Sequence, residues 1–195
     1  METYMTLTFD LKALKEKHKC VNYFETGLWD PRSNVSSKQA LSAGFEKVFC
    51  IELREQWIIL GREVFKDEIV NEKYFLFHDD SVNMKNHLNY PCFENKTMFF
   101  LDAHVDNINI RNFKKICPVF DELEAIKSLD RKDNVIMVDD LRLLKQPFPW
   151  GEQSYGNINF VDTIKNKILE INPDYKFTTL EGHVADDILC AYVDE

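Results

Sequence analysis

Long apolar runs are missing from this sequence. The longest unbroken ones hold four to six residues, as at 98–101 and 135–138. A bilayer-spanning helix needs roughly 18–20, so no membrane span is expected. Residues 1–10 show no basic start leading into an apolar stretch, so no secretory leader is expected either. Glycine and proline are scarce, at six each, too few for a long flexible linker to divide the chain. Cysteine is sparse and odd in number: Cys20, Cys50, Cys92, Cys117 and Cys190 are widely spaced, with no Cys-x-x-Cys pair. That leaves a zinc knuckle or a vicinal redox pair without support. Cys50 and Cys190 sit inside apolar runs and read as core thiols. A reducing compartment, the cytoplasm, fits best. Positive charge is also short, with 24 Lys and Arg against 33 Asp and Glu, a net charge of −9. Partners held through phosphates, nucleic acid above all, select for the opposite balance. An anionic membrane surface does too.

What is present is enough apolar material for a core: 45% of 195 residues are hydrophobic and 13% aromatic. One domain over 1–195 is expected, with 1–19 as an N-terminal helical extension. Short apolar runs alternate with helical stretches, the pattern of an α/β fold with a mainly parallel sheet and helices on both faces. The strands are expected at 21–26, 47–53, 74–78, 98–103 and 134–139. The helices are expected at 11–17, 36–43, 55–66, 118–129 and 158–171. Two closing strands, at 176–180 and 188–193, are joined by a segment too short for a helical crossover, so they should pair antiparallel. Residues 83–96 and 141–156 fit neither period and read as loops over the site.

In open α/β sheets, ligands bind beyond the carboxyl ends of the strands. Here those ends are acidic. Glu25 and Gly27 close the first strand and Glu52 the second; Asp79 and Asp80 follow the third; Asp102 closes the fourth, and Asp139 with Asp140 the fifth. These seven carboxylates assigned to one rim would repel one another unless something positive or hydrogen-bonding is bound. A glycine after the first strand lets backbone approach a nucleotide-like ligand closely. A carboxylate at the end of the second strand can accept from both ribose hydroxyls, and Glu52 follows Glu25 by 27 residues. Gly-x-Gly-x-x-Gly and the P-loop pattern are both absent. The expected ligand is therefore an adenosine without phosphates.

Glu25-Thr26-Gly27, Ile51-Glu52-Leu53, Asp79-Asp80-Ser81, Leu101-Asp102-Ala103-His104 and Val138-Asp139-Asp140 occur in the order found in class I S-adenosylmethionine-dependent methyltransferases. Over roughly 21–193 the chain resembles that family, and within it the metal-dependent sugar and small-molecule O-methyltransferases, macrolide-sugar enzymes included. The resemblance implies a Rossmann-like methyltransferase fold with a C-terminal antiparallel hairpin. It implies that Glu25, Thr26 and Gly27 line the methionine part of S-adenosylmethionine and that Glu52 holds the ribose. Asp80 and Ser81 would meet the adenine, with Asp79 as the alternative. The family usually reads Glu-x-Gly-x-x-x-Gly, and Pro31 stands at the second glycine here. Ser33 is placed to cap the next helix and is assigned to the cofactor loop. Arg32 either pairs with the cofactor carboxylate or stays exposed.

Asp102, Asp139 and Asp140 are the sharpest local signal. Carboxylates from adjacent strand ends are hard oxygen donors suited to Mg²⁺ or Mn²⁺, and the resembled group binds a divalent ion at matching positions. The alternative is that Asp139-Asp140 caps its strand and accepts from loop amides. Asp102 and His104 are the expected catalytic residues, His104 as a general base or a ligand, with Asp106 a weaker candidate. His183, Asp186 and Asp187 read as a solvated turn. Trp29, Phe148, Trp150 and Tyr155, with Gly151 and Gly156, suggest a lid or a platform for a sugar face, or loop packing. The implied activity is methyl transfer to a hydroxyl of a small-molecule or glycan acceptor, without nucleic acid or membrane. Compact members in bacterial and large-virus glycosylation systems are similarly brief, which would place a viral one in the host cytosol. A nicotinamide-dependent oxidoreductase and a non-catalytic adenosine-binding or assembly module remain as alternatives.

Overall fold

The computed structural model describes residues 7–33, 35–103, 117–145 and 158–194. A seven-stranded sheet runs through them. Its strands are β1 (Asn22–Thr26), β2 (Lys47–Glu52), β3 (Tyr74–His78), β4 (Thr97–Leu101), β5 (Val135–Val138), β6 (Lys176–Leu180) and β7 (Ile188–Tyr192). The order is β3-β2-β1-β4-β5-β7-β6. The first five are parallel, and β7 lies antiparallel between β5 and β6. This is the Rossmann-like arrangement expected, with its closing hairpin. The chain starts both ways from the middle, so β1 and β4 flank the topological switch point where such sheets bind ligands.

The strands are apolar almost throughout because both faces are covered. On one face, Tyr23, Val48, Cys50, Met98 and Phe100 share a core with Leu11, Ala40 and Phe65. That face carries α1 (Leu11–His18), α2 (Ser36–Ser42), α3 (Glu55–Val64) and α4 (Lys66–Val70). On the other, Phe24, Phe49, Phe99, Ile136 and Val138 pack with Leu123, Ile126, Ile164 and Ile168. These belong to α5 (Val119–Lys127) and to α7 (Phe160–Ile171), with the short α6 (Leu141–Leu144) between them. Asp10 caps α1 by accepting from the Ala13 amide at 2.9 Å, and Asn159 caps α7 through the Asp162 amide at 3.1 Å, each satisfying an otherwise orphaned donor. Cys50 and Cys190 are fully buried free thiols, as expected.

Two segments read as loops hold local structure instead. Two 3-10 helices occupy Ser81–His87 and Pro91–Glu94, and α6 follows β5. Turns this short are too brief to register as a period. Among the described residues, no helix is long and apolar enough to cross a membrane.

Candidate active site

Backbone hydrogen bonds knit the carboxyl ends of the parallel strands into one rim. The Asp79 amide donates to Glu52 O at 3.2 Å, Gly27 to Ile51 O at 2.8 Å, Asp102 to Thr26 O at 3.1 Å and Asp139 to Leu101 O at 3.1 Å. At the switch point, Gly27 has φ +88° and lies so close to β4 that an added Cβ would stand 2.5 Å from the Asp102 carbonyl. Only glycine accepts both that dihedral and that approach.

The rim acids then separate by what holds them. Glu25 turns away from the crevice into the α2 side of the sheet. It is fully buried, and the Ser36 and Ser37 hydroxyls donate to its two oxygens. Ser37 also shares a 2.8 Å hydrogen bond with the Tyr74 hydroxyl. Burial pushes the Glu25 carboxyl up to about 7, against the lowering effect of those hydroxyls. Thr26 points to the opposite face, as its neighbour in a strand must, and its hydroxyl accepts from the Asp102 amide at 3.3 Å. Glu52 is nearly buried and gathers three backbone amides: Leu28 at 2.8 Å and Trp29 at 3.3 Å on Oε2, and Arg54 at 2.6 Å on Oε1. A carboxylate offers about four acceptor positions, so one remains for a ligand.

Glu52 thereby folds the loop after β1 onto the end of β2. Leu28 is buried beside Gly61, where a side chain on Gly61 would clash with it. Trp29 takes φ +61°, uncommon for a bulky residue. Its ring stays exposed, 5.9 Å from Trp57 and 5.7 Å from the Arg54 guanidinium. Arg32 pairs with Asp30 at 2.5 Å and holds that carboxyl down at about 2. Ser33 does not cap the next helix: the N-cap of α2 is Val35, without a side-chain bond. The proline at 31 and the Asp30–Arg32 pair close the turn one step earlier, through the Ser33 amide on Asp30 O at 3.0 Å.

Asp79 is spent internally, accepting from the Asp80 amide and Asn83 Nδ2 through Oδ1 and meeting His87 Nε2 at 2.8 Å through Oδ2. Asp80 caps the 3-10 helix through the Val82 amide at 3.1 Å, and Ser81 is buried beside it. Asp80 rather than Asp79 is therefore the acid open to a ligand there.

The expected trio Asp102, Asp139 and Asp140 is not the set drawn closest together. Asp139, Asp140 and Asp187 are, each offering an oxygen within 4.8 Å of the others'. Asp102 stands near them, and burial, then Asp139 and Asp140, raise its carboxyl well above the usual range. Asp139 is raised to about 7 by burial and the Asp140 charge. Asp187, read as part of a solvated turn, is buried, while His183 and Asp186 beside it are exposed. The antiparallel register explains its position. Val138 faces Leu189, so two residues further on Asp140 comes level with Asp187. Arg142 bonds to Asp187 and lies 2.7 Å from Asp140.

Glu122 was hidden in the sequence as one acid in a helix's first turn. It is fully buried on α5, and neither oxygen has a hydrogen bond among the described residues. Burial raises it to about 7, against the lowering effect of the neighbouring Ser81 and Thr26 hydroxyls. His104, Asp106, Phe148, Trp150, Gly151, Tyr155 and Gly156 lie outside the described residues.

No protein-family model and no curated protein matches the chain. Solved structures do. An O-methyltransferase from Bacillus cereus, in complex with S-adenosylhomocysteine, matches 94% of this chain and 79% of its own at 17% identity, with a TM-score of 0.61. TomG of Streptomyces achromogenes is an O-methyltransferase involved in tomaymycin synthesis, solved with S-adenosylmethionine. It matches 95% of this chain and 78% of its own at 18% identity and TM-score 0.61. A Clostridium thermocellum protein provisionally assigned as an rRNA methylase matches 98% of this chain and 99% of its own at 14% identity and TM-score 0.57. At such identities the shared property is the fold.

Proposed function

We propose that this chain is an S-adenosylmethionine-dependent O-methyltransferase acting on a hydroxyl of a small polar acceptor, a sugar or glycan. The observation that carries the reading is the switch-point crevice. There Gly27 is stripped of a side chain against the Asp102 carbonyl, and Glu52, Asp80 and Asp102 stand along the same rim. The matched O-methyltransferases were solved with this cofactor or its product. When bound, the cofactor supplies an electrophilic sulfonium methyl. Gly27 would give its backbone room, the remaining acceptor position of Glu52 would take one ribose hydroxyl, and Asp80 with Ser81 would meet the adenine. With no ion bound, Asp102, made a stronger base than an ordinary carboxylate by burial and the Asp139 and Asp140 charges, would take the acceptor's hydroxyl proton. Holding both partners in line supplies much of the acceleration.

The donor set also fits a divalent ion. Asp102, Asp139 and Asp140 are hard carboxylate donors, two of them raised by burial and then by neighbouring carboxylates, and a cation among them would offset that repulsion. Mg²⁺ or Mn²⁺ held there would supply Lewis acidity to the acceptor hydroxyl. The acidic balance of the chain supports a small acceptor over an RNA one.

A second reading, a non-catalytic adenosine-binding module, is favoured by the three amides already on Glu52. Calorimetry with S-adenosylmethionine, followed by methyl transfer to a panel of glycosides and catechols, separates the two. Micromolar cofactor binding with turnover supports the enzyme, binding without turnover of any acceptor supports the module, and no heat at millimolar cofactor sinks both.

A further inference from the structure

Arg142 is the one guanidinium set into the acidic end of the rim among the described residues. Its backbone N–H donates to Asp187 Oδ1 at 2.9 Å, and its Nη1 donates to Asp187 Oδ2. Its Nη2 reaches Asp140 Oδ1 at 2.7 Å. The Asp187 side chain is entirely buried. The Leu141 amide donates to Asp187 O at 2.8 Å, so the start of α6 is fastened to the start of β7. Arg142 is thus anchored at Asp187 by two bonds and extends a single arm to Asp140.

Carboxylates this close are costly together unless a cation stands among them. Here that cation is covalently part of the chain. A divalent ion would need the Asp140 oxygen that the guanidinium holds, and two cations on one carboxylate repel. We infer that Arg142 is the resident counter-ion of the Asp139–Asp140–Asp187 cluster, and that a divalent ion enters by displacing its arm from Asp140. Arg142 is therefore a positioning residue that sets the ion affinity of the rim. The doubly held Asp187 end stays fastened while the Asp140 end swings free. This inference rests on the divalent-ion reading above.

Mn²⁺ alone is the probe, titrated into the full, metal-stripped chain by calorimetry, with unbound Mn²⁺ counted by electron paramagnetic resonance. Arg142→Gln removes the competing charge and should bind Mn²⁺ at least about ten-fold more tightly than the wild type, about 1.4 kcal/mol. Arg142→Lys keeps a charge but loses the planar fork and should fall between. A purely structural Arg142 would lower the melting temperature of Arg142→Gln without tightening Mn²⁺. Equal or weaker binding by folded Arg142→Gln overturns the inference alone. Mn²⁺ binding to neither chain overturns the divalent-ion reading and this inference with it. Should Arg142→Gln fail to fold, Arg142→Lys decides: several-fold tighter binding supports displacement, and wild-type affinity overturns it.

Discussion

Glu25 and Glu122 are two buried carboxyls on opposite faces of the same sheet, and they differ in what surrounds them. Glu25 has two hydroxyl donors, whereas Glu122 has no hydrogen bond among the described residues. Burial raises both from 4.5 to about 7. The folded chain then binds more protons than the unfolded one between those values, so stability falls as pH rises from about 4.5 through 7 and levels off above. Urea midpoints at pH 5.5 and pH 8 should show the wild type weaker at pH 8. Glu25→Gln should shrink that difference by an amount on the order of 1–3 kcal/mol, because a neutral amide still meets Ser36 and Ser37. An unchanged pH difference would mean Glu25 is ionised in the fold. Glu122→Met should go further and raise the melting temperature at pH 8, since an unpaired buried carboxylate costs more than an apolar side chain in its place. A lower melting temperature would show that Glu122 has a partner worth more than its burial costs.

At the scale of elements, the loop after β1 is the piece on which the cofactor reading depends. Its shape was only half legible. The glycine at 27 and the acid at 52 announce a crevice because close approach and hydroxyl acceptance need those residue types. That Glu52 would spend three of its acceptor positions on Leu28, Trp29 and Arg54 could not be read, because backbone donors leave no mark in sequence. The five parallel strands were legible for the opposite reason: strands buried on both faces are written as continuous apolar runs. Arg142 and Asp187 lie 45 residues apart and meet through the pairing of β7 with β5, a register that no local pattern carries. Gly27→Ala tests the loop. Its Cβ would meet the Asp102 carbonyl at 2.5 Å from a backbone at φ +88°, at a cost of roughly 1–3 kcal/mol. The same push opens β1 from β4 at the crevice. Urea denaturation should show the loss, and calorimetry should show cofactor affinity falling ten-fold or more. A variant with wild-type affinity would remove Gly27 from the site.

Over the whole molecule, the excess of acid looked like a rim awaiting positive ligands, and the structure divides that charge. Glu25 is withdrawn to buried hydroxyls, Glu52 is gathered by amides, and Asp79 is held by Asn83 and His87. What stays electrostatically unsettled is concentrated at the β4–β5 end, where burial and then neighbouring carboxylates raise Asp102 and Asp139 and Arg142 is the built-in compensation. A cationic ligand should feel that end more than the rest. S-adenosylmethionine carries a sulfonium where S-adenosylhomocysteine has a neutral thioether, so the two ligands report the field at one atom. Asp102→Asn should weaken the former more than the latter, by about three- to ten-fold in the ratio of their dissociation constants, because the field of a half-buried charge is little screened by salt. The ratio should change little between 50 and 500 mM NaCl in the wild type, in contrast to a surface interaction. Equal losses for both ligands on Asp102→Asn would mean Asp102 shapes the crevice without facing the methyl-bearing sulfur, and the proton it takes in the proposed reaction would have to go elsewhere.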